Sequence, residues 1–438
     1  MKICVVGLGK IGLPLAVQYS GVGHLVLGVD INQGTVDLVN RGIEPFPGEF
    51  GLSNKLRAVV DSGRLKASTD TSDAVRDSDV VVVVVPLYVD EFGAPDFAAM
   101  DAATTAIGKG LTSGTLVTYE TTLPVGTTRD RLTPLLEEYS GLQADKDFSV
   151  VFSPERVLTG RVFEDLRKYP KLVGGISPRS EEIGSAFYEA VLGFDERPDL
   201  NRMNGVWRMG SCEAAEMAKL AETTYRDVNI GLANQFAMYS DTVGVDFYKI
   251  IEACNSQPFS HIHYPGVAVG GHCIPIYPQL YMSGDPSASI VQAARETNRN
   301  MPRYTVDLLE SALPADSGKT VVILGLAYRG DIKETAFSGA LYLHKELLRR
   351  GFQPLVHDPL YSHEEISSYE MKPYQFGTNC DAVILQAEHG VYKELLGSNF
   401  PGARVFIDGR NFLRKKNFPG LNFMSIGDGI KKSNVRNA

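Results

Sequence analysis

Cys273 stands at the centre of the stretch Tyr264-Pro-Gly-Val-Ala-Val-Gly-Gly-His-Cys-Ile-Pro-Ile-Tyr-Pro278, behind two adjacent glycines and ahead of two prolines. Glycines let a backbone approach a ligand with no side chain in the way. Pro275 and Pro278 stiffen the exit from the turn, so a continuing helix is not expected there. A thiol held on such a turn has the geometry to attack a carbonyl carbon. A half-buried structural cysteine in a Gly/Pro loop is the alternative that the stretch alone leaves open.

Other residues could share that chemistry. Thr122 and Glu155 follow the apolar runs Leu116–Glu120 and Ser149–Phe152, in the loops Thr121-Thr-Leu-Pro-Val-Gly-Thr-Thr128 and Ser153-Pro-Glu-Arg156. Lys219 lies among alanines and leucines on a helical stretch. Either its stem snorkels along apolar surface, or its ammonium stabilises a developing oxyanion. Arg329 and Arg410 follow two further apolar runs, where bidentate guanidinium groups suit a diphosphate. A pair of solvated surface arginines is the plainer reading of the same positions.

These residues need a frame, and the N-terminal sequence supplies one. Lys2–Val6 reads as a buried strand, followed by Gly7-Leu-Gly-Lys-Ile-Gly12, a helical stretch Leu13–Tyr19, and a second strand Leu25–Val29 ending in Asp30. Strand, glycine turn, helix and an acidic residue about twenty positions on make a dinucleotide-binding unit. Gly7 would make the tight turn, Gly9 admit the pyrophosphate, and Gly12 let helix and strand pack closely. Asp30 would accept from ribose hydroxyls and repel a 2′-phosphate, favouring NAD over NADP. Six consecutive valines, Val80–Val85, bounded by Pro86, read as a central parallel strand covered on both faces. Ligands of such sheets lie beyond the carboxyl ends of the strands, which places Pro86, Thr122 and Glu155 at the cofactor's reactive end.

From Ser211 to Val243 there is no proline and one interior glycine, Gly231, while Ala214, Met217, Ala218, Ala221, Tyr225, Val228 and Leu232 recur at helical spacing. A helix of that extent would run about 45 Å and offers a face for dimerisation. Thr320–Leu324, Pro354–His357, Asp381–Leu385 and Arg404–Ile407 are expected strands of a second Rossmann-like unit, with Ser338–Arg350 as its helix and a polar tail from Lys431. The expected fold is therefore α/β, with two Rossmann-like doubly wound domains joined by a long central helix and a helical middle domain. The boundaries are placed at 1–195, 196–305 and 306–438.

Composition narrows the classes of partner. The chain has 438 residues, 44% of them hydrophobic and 22% charged, and a formal charge of −9. That balance argues against a nucleic-acid surface and a polybasic membrane anchor. The five cysteines have no metal-ligand spacing, so reduced thiols in a cytoplasmic protein are expected, without a metal.

Taken together, the motifs Gly7–Gly12, Thr121–Thr128, Ser153–Val157, Ala215–Asn234, Gly270–Pro275, Gly325–Asp331 and Asp408–Arg410 resemble the UDP-glucose/GDP-mannose dehydrogenase family over nearly the whole chain. The resemblance implies NAD-dependent, four-electron oxidation of the C6 alcohol of a nucleotide-linked hexose to a carboxylate, through a thiohemiacetal and a thioester on Cys273. It implies Cys273, Lys219, Glu155, Thr122 and Thr223 as catalytic residues. It implies Gly7, Gly9, Ile11, Gly12, Asp30, Pro86, Thr122 and Glu155 against the cofactor, and Glu155, Leu158, Lys219, Tyr264, Gly270, Arg329 and Arg410 against the substrate. A homodimer, a role in polysaccharide biosynthesis and no membrane or nucleic-acid partner belong to the same expectation. Gly-Gly-His-Cys-Ile-Pro and Glu-Thr-Thr-Tyr-Arg-Asp-Val-Asn-Ile look like the branch that acts on UDP-N-acetylglucosamine or UDP-N-acetylmannosamine.

Four positions depart from the family pattern. Tyr277 replaces an aspartate four residues after the cysteine, and Thr223 an asparagine four after the lysine. Phe259 and Ala336 each replace an arginine. A tyrosine hydroxyl is a poor base at neutral pH, so thioester hydrolysis could be slowed. Two other functions therefore stay open: a UDP-glucose 6-dehydrogenase, and a catalytically impaired homologue that binds NAD or a nucleotide-sugar.

Overall fold

The computed structural model describes residues 1–90 and 93–429, so the tail from Lys431 lies outside the described residues. The chain divides into two compact units, Met1–Glu222 with Gln279–Asp285, and Thr223–Pro278 with the residues from Pro286 onward.

The first unit contains β1 (Lys2–Val6), β2 (Leu25–Val29), β3 (Leu65–Ser68), β4 (Val80–Val83), a small hairpin of β5 (Tyr88–Val89) and β6 (Pro95–Asp96), then β7 (Leu116–Tyr119), β8 (Ser149–Phe152), β9 (Lys171–Gly175) and β10 (Val206–Arg208). Eight of these strands form one sheet in the order β10-β9-β8-β7-β4-β1-β2-β3. The order reverses between β1 and β4, which makes the crevice of a doubly wound fold. The valine strand is fully buried between β1 and β7, as a run with no polar alternation requires. It stops two valines short of the expected end. The Val84 carbonyl turns under Gly7, where a side chain would meet it at 2.9 Å, and the Val85 carbonyl accepts the Thr121 hydroxyl at 2.6 Å. The last two strands run against the rest: β9 pairs antiparallel with β8, and β10 pairs parallel with β9.

The second unit holds β11 (Thr320–Leu324), β12 (Gln353–His357), β13 (Lys372–Pro373), β14 (Ala382–Leu385), β15 (Val405–Asp408) and β16 (Asn422–Ser425), all parallel in the order β13-β12-β11-β14-β15-β16. This is the same doubly wound order, with its own apolar core.

The long helix runs from Cys212 to Val243, and its residues from Thr223 onward belong to the second unit. There it packs along a second helix, Ser289–Ala312, and at Gly231 a side chain would sit 2.9 Å from Ala294 Cβ. The apolar stripe of the sequence is on the wrong side for this contact. Tyr225 and Leu232 are exposed, while Thr223, Asp227 and Asn234 are buried. The exit from the cysteine turn also differs from expectation. Helix Tyr277–Gly284 begins at once, with the Tyr277 amide donating to the Cys273 carbonyl at 2.9 Å. Pro278 falls in the first turn of that helix, where its missing N–H is not needed.

Candidate active site

The glycine turn of the first unit is built to hold a dinucleotide. Gly7 has φ +97°, a left-handed conformation that glycine adopts without strain. A Cβ on Gly12 would lie 1.8 Å from the Gly7 carbonyl oxygen, whereas one on Gly9 would meet nothing within 4 Å among the described residues. The turn is thus closed by Gly7 and Gly12 and open over Gly9, at the start of helix Gly12–Gly21. Helix amide groups there suit a pyrophosphate. Asp30 Oδ2 accepts the Leu8 amide and Oδ1 the Asn32 amide, both at 2.9 Å, which fixes a partly exposed carboxylate at the end of β2. These features fit NAD. Ile11 is half-buried just ahead of the helix, and Pro86 is exposed beyond the valine strand.

The second unit has the corresponding aspartate, Asp358, after β12, and uses it differently. Its Oδ2 accepts the Leu326 and Ala327 amides at 2.8 and 2.9 Å and lies 3.0 Å from Nε2 of the buried His389. The Asp331 amide donates to His389 Nδ1 at 3.1 Å, so Nε2 carries the proton and donates to Asp358. Asp358 is only 3% exposed and serves as an internal staple of the turn.

Around Glu155 the first unit gathers a buried charge cluster. Lys171 Nζ donates to Glu155 Oε2 at 2.8 Å and to Glu120 Oε2 at 2.9 Å. The Tyr188 and Tyr19 hydroxyls donate to Glu120 Oε1 at 2.7 and 3.4 Å. The Arg156 amide donates to Glu155 Oε1 at 2.7 Å. Burial raises the Glu120 carboxyl above its ordinary range, and Lys171 offsets only part of this. Burial also acts on Glu155, but the Lys171 ammonium, the Arg156 amide and the charge of Lys219 outweigh it and hold that carboxyl below its ordinary value. Lys219 is buried, so the structure places it as a charged neighbour of Glu155 and not as a snorkelling surface lysine.

Thr122 is also buried, on a loop pinned at its far end by Glu216 of the long helix. Glu216 accepts the Gly126 amide at 2.6 Å, the Thr128 amide at 2.9 Å and the Thr128 hydroxyl at 2.6 Å. Burial nevertheless pushes its carboxyl up to about 7. Leu158 is exposed.

In the second unit the cysteine turn is held from two sides. Gly271, at φ +90°, donates its amide to the Ala336 carbonyl at 2.8 Å. Side chains at Gly270 and Gly271 would meet Tyr328 at 2.6 and 3.0 Å. On the other side, Arg295 donates to Asp227 Oδ1 at 2.6 Å and to the Ile274 carbonyl at 3.3 Å. Asn298 joins Asp227 to Asn234, and Asn234 Oδ1 accepts the Gly266 amide at 3.0 Å. Cys273, between these anchors, is partly accessible. Arg410 donates to the Gln386 carbonyl at 2.7 Å and reaches the Tyr328 carbonyl at 3.4 Å, and the Arg329 guanidinium lies 5.9 Å from the Tyr328 ring. Gly270, Arg329 and Arg410 thus meet around one tyrosine. Tyr264 is exposed and stacks on Tyr248 at 6.2 Å.

Of the departures, Thr223 is buried, Tyr277 opens its helix, Phe259 is 93% exposed, and Ala336 contributes its carbonyl. Sequence reasoning missed Glu120, Lys171, Glu216, Asp227 and Arg295. Lys171 alone left a signal, a lysine opening the apolar run Lys-Leu-Val-Gly-Gly175. Among the described residues no group of His, Cys, Asp and Glu is arranged to hold a metal ion, and no helix is long and apolar enough to cross a membrane.

Comparison with known proteins matches the chain in three segments to the UDP-glucose/GDP-mannose dehydrogenase family: the NAD binding domain at residues 1–192, the central domain at 213–300 and the UDP binding domain at 322–415. A UDP-N-acetyl-D-mannosamine dehydrogenase of Pyrococcus horikoshii is 33% identical, covering 98% of this chain and 100% of the relative. An NDP-N-acetyl-D-galactosaminuronic acid dehydrogenase of Ralstonia solanacearum is 31% identical over 94% of this chain and 96% of its own. The solved structure of a UDP-D-ManNAc dehydrogenase from Pyrococcus horikoshii superposes with a TM-score of 0.86 at 31% identity, covering 98% of this chain and 100% of that one.

Proposed function

The chain belongs to the UDP-glucose/GDP-mannose dehydrogenase family, and from that premise we propose that it oxidises the C6 hydroxymethyl group of a UDP-linked N-acetylhexosamine to the carboxylate. The observation that carries this reading is Cys273 on an anchored glycine turn, in the unit where Gly270, Arg329 and Arg410 gather around Tyr328. The full-length likeness to N-acetylhexosamine relatives favours that sugar class over UDP-glucose.

Gly7, Gly9, Ile11, Gly12 and Asp30, with Pro86 towards its reactive end, would hold NAD, which would supply the hydride acceptor for the two oxidations. The chain's own residues do the rest. After the first oxidation the Cys273 sulfur bonds to the C6 aldehyde carbon, giving a thiohemiacetal. After the second, the same carbon is a thioester. Water then adds, the C–S bond breaks, and the thiol and the carboxylate are released. Glu155, kept ionised, takes protons from the alcohol and the hydrolytic water. The Lys219 ammonium stabilises the oxyanions. Thr122 and Thr223 supply hydroxyls that order water. Arg329 and Arg410 hold the diphosphate, while Leu158, Tyr264 and Gly270 line the rest of the nucleotide-sugar.

The three-part division at 1–195, 196–305 and 306–438, a cytoplasmic location and a part in polysaccharide biosynthesis belong to the same proposal. So does a homodimer, supported by the exposed stripe Tyr225, Leu232, Phe236, Tyr239 and Val243 along one side of the long helix. A second reading, an impaired homologue that binds without turnover, is favoured by the four departures Tyr277, Thr223, Phe259 and Ala336. NADH production across UDP-glucose, UDP-N-acetylglucosamine, UDP-N-acetylmannosamine and GDP-mannose separates the two. Turnover of an N-acetyl sugar supports dehydrogenation; binding of NAD and a UDP-sugar with no NADH supports the impaired homologue.

A further inference from the structure

Glu155 is the outer end of a network whose inner end is closed. Glu120, just past β7, has Oε1 occupied by the Tyr188 and Tyr19 hydroxyls and Oε2 by Lys171. Glu155, just past β8, takes Lys171 on Oε2 and, among the described residues, only the amide of its neighbour Arg156 on Oε1. The Glu120 side chain is 0% exposed, Lys171 5% and Glu155 11%. Two carboxylates share the Lys171 ammonium, and the outward one is the one placed to exchange a proton with a ligand.

The placement of Lys171 follows from the topology. It is the first residue of β9, the strand that pairs antiparallel with β8. Its start therefore lies where β7 and β8 end, at the mouth of the sheet. A parallel strand there would have put its first residue at the opposite edge. Stability alone is a weak reason for such a cluster, because apolar residues of similar volume are often as stable as a buried ion pair.

We propose that Lys171 is a positioning residue that keeps Glu155 ionised and oriented for proton transfer, and that Glu120 sets how much of the Lys171 charge Glu155 receives. This rests on the proposed role of Glu155 as a base. The charged and titratable groups facing it are Lys171, Glu120 and Lys219, with Tyr188 and Tyr19 behind Glu120. Removing the ammonium disfavours the Glu155 carboxylate, and neutralising Glu120 favours it. The two changes must act in opposite directions.

The test is the pH dependence of kcat for Lys171→Met, Lys171→Arg and Glu120→Gln. An infrared titration of the Glu155 carboxylate in the substrate-free protein accompanies it, identified by difference against Glu155→Gln. Lys171→Met should move the acid limb and the infrared midpoint upward by about one to two pH units. Glu120→Gln should move both downward, and Lys171→Arg should stay near the parent. If Lys171→Met does not fold, the near-isosteric Glu120→Gln decides by its direction alone. Midpoints that stay fixed in the folded variants, or a Glu120→Gln shift upward, would overturn the proposal and leave Lys171 a structural ion pair. The infrared readout needs no turnover, so absence of dehydrogenase activity would count against the reaction and not against this network.

Discussion

Removing one partner of the Asp227–Arg295 pair should cost far more than removing both. The two side chains meet at 2.6 Å and are 0% and 7% exposed. Burial raises the Asp227 carboxyl and lowers the Arg295 guanidinium from their ordinary values, each against the pull of the other. Among the described residues, Asp227 Oδ2 and Arg295 Nε are buried with no hydrogen-bond partner, so the desolvation of the pair is incompletely repaid. Asp227→Leu or Arg295→Met alone strands a buried charge, at about 3–5 kcal/mol. The double variant strands none and should lie within about 1 kcal/mol of the parent. Urea titration followed by far-UV circular dichroism measures the cycle. The single tryptophan, Trp207, lies in the first unit and reports that unit separately. Since Arg295 also holds the Ile274 carbonyl, each single variant should make Cys273 more reactive towards a thiol reagent. Single variants costing under about 1 kcal/mol, or a double variant costing the sum of the two, would refute the reasoning.

Three further expectations follow from other parts of the molecule. Gly12→Ala places a methyl 1.8 Å from the Gly7 carbonyl and must shift the turn; NAD affinity measured by calorimetry should fall at least about tenfold, ~1.4 kcal/mol. Glu216 rises from 4.5 to about 7 on folding, so the folded state holds its proton more tightly. Its contribution is full below 4.5 and falls as pH rises to about 7, by about 3 kcal/mol at ~1.4 kcal/mol per unit; Glu216→Gln should flatten that slope in denaturation curves taken between those pH values. Tyr239 is 64% exposed on the apolar stripe, so Tyr239→Asp should shift sedimentation from dimer to monomer, whereas a parent that sediments as a monomer would remove the dimer.

Much of the frame was legible because its signals are local. The glycine turn, the Asp30 that follows β2 and the valine strand each depend on a few consecutive residues, and the second sheet repeated the same rhythm. What the sequence did not disclose depends on distant pairs. Lys171 and Glu120 are 51 positions apart, and only the reversal of β9 brings them together. Asp227 and Arg295 are 68 apart, on helices whose packing hangs on Gly231. The helix periodicity identified an apolar stripe correctly but could not say which side faced the core. Here polar residues such as Asp227 and Asn234 are buried in hydrogen-bonded networks while Tyr225 and Tyr239 are exposed, the reverse of the simplest rule. At the cysteine turn, Pro278 was read as a helix stop although a proline in a first turn is a helix start.

The most direct test of the account is the stoichiometry of NADH per nucleotide-sugar, measured to completion with the preferred UDP-N-acetylhexosamine. The parent should form two NADH per sugar and a C6 carboxylate, and Cys273→Ala should lose that four-electron product. One NADH per sugar with aldehyde released, or two NADH retained by Cys273→Ala, would contradict covalent catalysis at Cys273.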